Sequence, residues 1–138
     1  MPQLKTRLKI SDLKTLVVDD MLANRKSLER HLKAMGFSRI DHASSVVDAV
    51  PALEANGYDI VFLDWNMPEF SGLHLLQACR MDSKYENIAF VMFSSASENS
   101  SVIEAIKSGA TAYIVKPIDE GALMIQMDKV MEWLERRR

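Results

Sequence analysis

With one cysteine, Cys79, the chain has no internal disulfide, and this usage suits a reducing compartment. No apolar run approaches the ~18–20 residues that cross a bilayer. The opening Met1-Pro2-Gln3-Leu4-Lys5 carries no signal-peptide core. Together these absences point to a cytoplasmic protein with no membrane partner. A net charge of −2 leaves no clustered basic excess to meet a phosphate backbone, so no nucleic-acid partner is expected. Gly-x-x-x-x-Gly-Lys does not occur, which excludes a P-loop nucleotidase. Repeats, low-complexity tracts and linkers are also missing, so no second domain is expected. His31, His42 and His74 lack metal-ligand spacing and read as surface histidines, and Cys79 reads as a small core filler.

What the chain does have is alternation. Its 138 residues, 48% hydrophobic and 26% charged, suffice for one domain with a full core. Apolar, β-rich runs alternate with helical patterns five times. Leu16-Val17-Val18, Ile60 to Leu63, Ile88 to Phe93 and Tyr113 to Val115 are near-continuous, as parallel strands covered on both faces require. Arg39 to Ala43 is the weakest run and reads as an edge strand.

The helical stripes between them are Leu28, Leu32 and Met35 closed by Gly36; Leu75, Leu76 and Cys79; and Val102, Ile103 and Ile106 closed by Gly109. The last stripe, Leu123, Met127, Val130, Met131 and Leu134, is the clearest. In the second helical pattern an Asp48 N-cap places Pro51 at the third helical position, where its missing N–H has no intrahelical partner. Residues 1–13 read as a loosely held N-terminal arm, and residues 14–138 as the domain. The expected fold is α/β, a five-stranded parallel sheet with right-handed crossovers and helices on both faces.

Five polar pieces fall at the C-terminal ends of the apolar runs: Asp19-Asp20, Asp64, Asn66, Ser94 and Lys116-Pro117. That edge is where open α/β sheets keep their ligands. Taken singly, Asp19-Asp20 suits a helix N-cap and Lys116-Pro117 a turn. Gathered on one edge, the carboxylates repel unless a hard divalent cation such as Mg²⁺ neutralises them. Asp64 is then the candidate nucleophile for a phosphoryl group. Lys116 and the Ser94 hydroxyl, with the backbone N–H that follows it, are the groups able to answer the charge on the phosphoryl oxygens. The Lys116-Pro117 peptide is expected to be cis, aiming the lysine back over the strand ends.

These pieces, with the Phe62-Leu63-Asp64-Trp65-Asn66-Met67-Pro68 stretch and matching separations from Asp64 to Ser94 and Lys116, resemble the receiver domain of two-component response regulators, the CheY-like family. The resemblance covers Lys14 to the C-terminus. It implies a flavodoxin-like, doubly wound (βα)5 three-layer sandwich with strand order 2-1-3-4-5, an order the general rule for such folds illustrates with CheY itself.

It further implies phosphorylation on Asp64 by a histidine kinase or phosphotransfer protein, in a chain that is no enzyme beyond its own aspartyl phosphorylation and dephosphorylation. Asp20, Asp64 and the Asn66 backbone carbonyl are the implied direct Mg²⁺ ligands, with Asp19 acting through water. Ser94 and Tyr113 are the implied switch pair. The fourth helix, fifth strand and fifth helix form the implied face toward a downstream output protein.

Two residues depart from the family pattern: Ser95 stands where Ala or Gly is usual, and Ala96 where CheY has an acidic residue. Alternatives are a degenerate receiver that binds partners without phosphorylation, and a haloacid-dehalogenase-type phosphatase. The latter wants a second Asp where this chain has Asn66. Met67 is expected to be held in the Asp64 loop, Trp65 to lie near the site mouth, and Arg136-Arg137-Arg138 to be a solvated helix end.

Overall fold

The computed structural model describes residues 3–67, 69–95 and 99–138, without the side chains of residues 99 and 100. Pro68 and Ala96 lie outside the described residues. Five parallel strands, β1 (Lys14–Val18), β2 (Arg39–Ala43), β3 (Ile60–Leu63), β4 (Ala89–Ser94) and β5 (Ala112–Val115), form one sheet in the order β2-β1-β3-β4-β5. Five helices alternate with them: α1 (Leu22–Ala34), α2 (Val46–Ala55), α3 (Gly72–Arg80), α4 (Asn99–Lys107) and α5 (Glu120–Glu135). The α/β class and helix count are as the sequence led us to expect, the strand order is the one the family resemblance implied, and β2 is an edge strand.

Strand alternation sorts the core into two layers. Val17, Ile60, Phe62, Val91, Phe93 and Ile114 face Leu28 and Leu32 of α1 and the whole α5 stripe. Leu16, Val18, Val61, Leu63, Phe90 and Met92 face α2, α3 and α4. Both faces of the sheet are therefore dry along most of β1, β3, β4 and β5, which explains why those strands read as near-continuous apolar runs. Gly36 and Gly109, each at φ +107°, close α1 and α4 with paired backbone bonds, Phe37 to Leu32 and Gly36 to Lys33, then Ala110 to Ala105 and Gly109 to Ile106.

Three expectations need correction. The N-cap of α2 is Ser45, whose hydroxyl accepts from the Asp48 N–H at 3.0 Å, so Pro51 lies deeper in the helix, at its sixth position. It is tolerated on the exposed side, where the Val47 carbonyl it leaves without a donor can reach water. The inner face of α4 is Val102 and Ala105, while Ile103 and Ile106 are 52% and 49% exposed. A small alanine lets this helix lie close to the sheet and turns the larger residues outward.

The N-terminal arm is not loose. Leu4 is buried in the α1–α5 layer, and the arm's backbone N–H groups bond Asp128 and Glu135 of α5. The final arginines are exposed, as a solvated helix end should be, and each still has a contact. Arg136 pairs with Glu132, Arg137 lies over the Trp133 ring, and Arg138 binds Asp59 at 2.6 Å.

Candidate functional site: the acidic pocket at the sheet edge

The chain reverses at the C-terminal ends of β1, β3, β4 and β5, and the polar residues that follow those strands converge. Asp19 is the first residue past β1, held by its N–H on the Ala43 carbonyl. Asp64 is the first past β3, with its N–H on the Val18 carbonyl. Lys116 is the first past β5, with its N–H on the Ser94 carbonyl, and Ser94 ends β4. The ladder thus sets each of these residues beside its neighbour.

Carboxylate oxygens of Asp19, Asp20 and Asp64 lie within 4.8 Å of one another. Asp19 and Asp64 are buried, and Asp20 is exposed. Lys116 Nζ is 2.6 Å from Asp19 Oδ2 and 3.4 Å from Asp64 Oδ1, and stands 4.6 Å from the centroid of the Phe93 ring. The lysine therefore spans the two buried acids over an aromatic floor. Asp19 Oδ1 accepts from the Met21 N–H at 2.9 Å, with Asn24 Nδ2 at 3.5 Å. Burial holds the Asp64 carboxyl above the usual carboxylate range; Lys116 pulls it down, Asp19 pushes it up, and a bond from the Asn66 backbone N–H lowers it.

The donor set fits a hard divalent cation. Oxygens around an octahedral ion at ~2.1 Å stand ~3 Å apart at neighbouring positions and ~4.2 Å apart across it. Three carboxylate oxygens within 4.8 Å of one another are close enough to serve such an ion, directly or through a bound water. The crowding of Asp64 by Asp19, which a single lysine must answer, supplies the electrostatic demand.

The expected cis peptide is present at Lys116-Pro117. Trp65 is half-buried beside the pocket, its ring centroid 6.5 Å from that of the buried Tyr113 at a 57° tilt. Met67 is buried in the loop, while Asn66 and Ser95 are exposed.

Two contributors gave no signal of their own in the sequence. Gly72, the first residue of α3, packs so tightly that a Cβ there would run into the backbone carbonyl of Asp64. Arg25 on α1 donates from Nη1 to the Asp19 carbonyl at 2.6 Å. Among the histidines, His31 is half-buried and His74 exposed; His42 is not an idle surface group, because it bonds both Arg25 and Glu29.

Residues 15–128 match the family described as response regulator receiver domain. Among curated proteins, the chemotaxis protein CheY-3 of Vibrio cholerae serotype O1 is 32% identical over 123 residues, which span 89% of this chain and 95% of the relative. The chemotaxis protein CheY of Pseudomonas aeruginosa is 31% identical over 120 residues, 87% of this chain and 97% of the relative. Among solved structures, the chemotaxis response regulator CheY4 of Vibrio cholerae superposes with a TM-score of 0.77 at 26% identity, covering 86% of this chain and 98% of that one. The signal receiver domain of a DNA-binding response regulator from Colwellia psychrerythraea 34H gives 0.80 at 21% identity, over 88% and 99% of the two chains, a likeness of fold alone. The sheet order, the acidic edge with its lysine and these matches agree: the chain belongs to the response regulator receiver domain family, as a CheY-like member of the two-component signalling proteins.

Proposed function

We propose that this receiver takes a phosphoryl group onto Asp64 from the phosphohistidine of a histidine kinase or phosphotransfer protein, with Mg²⁺ in the acidic pocket. The observation that carries the reading is the convergence of Asp19, Asp20, Asp64 and Lys116 at one sheet edge. A carboxylate oxygen of Asp64 attacks phosphorus as the bond to the donor imidazole breaks, and the imidazole keeps the electron pair.

Mg²⁺, when bound, supplies neutralising charge to the pocket and the transferring group. Asp20 and Asp64 would hold it directly through their carboxylates, and the Asn66 carbonyl would be a third ligand. Asp19 would act through water, as the family resemblance implies, and its oxygens accept from Lys116, Met21 and Asn24. Lys116 moves from Asp19 toward a phosphoryl oxygen, and the Ser94 hydroxyl with the Ser95 N–H takes another.

That charge biases a two-state surface through Ser94 and Tyr113. The output face comprises α4, β5 and α5, where Ile103, Ile106 and Val115 are exposed apolar residues on the first two elements. The chain acts on no foreign substrate; its chemistry is confined to its own aspartyl group.

Intact mass after incubation with acetyl phosphate and Mg²⁺ tests this. The parent gains one phosphoryl group and Asp64→Asn gains none. An unmodified parent favours a binding module that works without phosphorylation, and turnover of a generic phosphate ester favours a phosphatase. Asp64→Asn also has a stability signature. Because the folded-state pKa of Asp64 is raised, its ionised form opposes folding at neutral pH, and this penalty fades as pH falls through the folded pKa. Without Mg²⁺ the variant is therefore more stable than the parent near neutrality, and the gap narrows in acid, as paired urea melts will read.

A further inference from the structure

Arg25 sits in the first turn of α1, four residues past the N-cap Met21. Its Nη1 donates to the carbonyl oxygen of Asp19 at 2.6 Å. That oxygen belongs to the planar peptide joining Asp19 to Asp20, so holding it fixes the plane from which the Asp20 side chain departs. Asp19 lies just beyond β1, and β2 ends at Ala43, whose carbonyl takes the Asp19 N–H. The ladder stops there, and the Asp19 carbonyl is served by a side chain.

Arg25 is itself held from behind. Its Nε lies 3.3 Å from His42 Nδ1, and His42 Nε2 lies 3.0 Å from Glu29 Oε1. With Nδ1 accepting, the ring proton sits on Nε2 and donates to Glu29. Glu29 is steadied in turn by Lys33 at 3.3 Å and Lys26 at 3.8 Å. The result is a line of bonds from a carboxylate on α1, through an imidazole on β2 and a guanidinium on α1, to the peptide between two acidic residues of the pocket. The buried Leu28 and Leu32 and the β1–β2 register hold α1 and β2 in place by other means, so the line is not needed to dock them.

We propose that Arg25, His42 and Glu29 form a positioning relay that fixes the Asp19–Asp20 peptide and thereby sets the affinity of the acidic pocket for a divalent cation. The relay rests on the metal-site reading above. It gives two elements outside the pocket a hold on how the pocket binds.

Mg²⁺ titration of the full chain, followed by Trp65 fluorescence against the distant Trp133, tests it. Groups that orient metal ligands from outside the site typically account for about 10- to 100-fold in affinity, and Arg25→Ala should weaken Mg²⁺ binding by a factor in that range. Arg25→Lys, which keeps a donor for the Asp19 carbonyl, should recover part of the loss. His42→Leu and Glu29→Gln should weaken binding in the same direction by less. Arg25→Ala combined with His42→Leu should bind no more weakly than Arg25→Ala alone, because the three residues act as one unit.

Variants that lose thermal stability but bind Mg²⁺ like the parent overturn the relay and leave the metal site standing. A parent that shows no Mg²⁺ response overturns the metal-site reading and the relay with it. If Arg25→Ala does not fold, His42→Leu and Glu29→Gln decide the matter, and unchanged affinity in both overturns the relay.

Discussion

At the N-terminal end of the sheet, Asp59 accepts from the Lys14 backbone N–H at 2.8 Å and from Arg138 at 2.6 Å, and Arg80 donates to the carbonyls of Gly109 and Tyr85 and to Thr111. Asp59 and Arg80 there are each met by several partners. At the C-terminal end three carboxylates crowd within 4.8 Å and Lys116 divides itself between two of them. The same sheet, with the same ladder, carries a stapled end and an end left electrostatically incomplete. Incompleteness costs stability, and under the proposed function it is the property that would let a cation or a phosphoryl group bind with effect.

The contrast can be tested by substitutions of decreasing weight. Lys116→Ala strips the buried Asp19 of its only cationic partner among the described residues and should cost about 3 kcal/mol in Mg²⁺-free urea melts. Mg²⁺ should return part of that loss, and a variant as stable as the parent would break the picture of a strained pocket. Gly72→Ala drives a methyl group against the Asp64 carbonyl and should cost about 2 kcal/mol while slowing acetyl-phosphate labelling of Asp64. Full labelling at the parental rate would show the loop to be more forgiving than its packing indicates.

At the start of β1, the fully buried Thr15 hydroxyl has no partner among the described residues. Thr15→Val should therefore raise stability by about 1 kcal/mol, read from the urea midpoint, with labelling unchanged. Arg138→Ala breaks a partly exposed pair and should cost no more than about 1 kcal/mol, leaving the Mg²⁺ response of Trp65 intact. A larger loss there, or an altered Mg²⁺ response, would mean that the two ends are coupled.

Sequence reasoning succeeded where local pattern and tertiary role coincide. Four near-continuous apolar runs and a weaker edge run have one economical packing, between two layers of helices, and the residues after those runs must then share an edge. It failed where a choice depends on a neighbour. Ser45 rather than Asp48 caps α2, because both residue types can cap and only the path of the chain selects one. Ile103 and Ile106 were assigned to the core by hydrophobicity, but the sheet leaves α4 room for Ala105. The arm at residues 3–13 has too few apolar residues to announce a docking site, yet Leu4 and the acids of α5 provide one.

By itself the sequence determined the α/β class and the expected set of site residues, because strand-length apolar runs and the residues that terminate them are local properties of the chain. Which oxygen meets which donor was decided by the tertiary structure alone. That Lys116 lies closer to Asp19 than to Asp64, that Gly72 leaves space for the Asp64 carbonyl, and that Arg25 reaches back to the Asp19 peptide through contacts with His42 are facts about distances between separate elements. Such distances are set by how strands, helices and the loops between them pack, and the pattern of residue types along the chain does not state them.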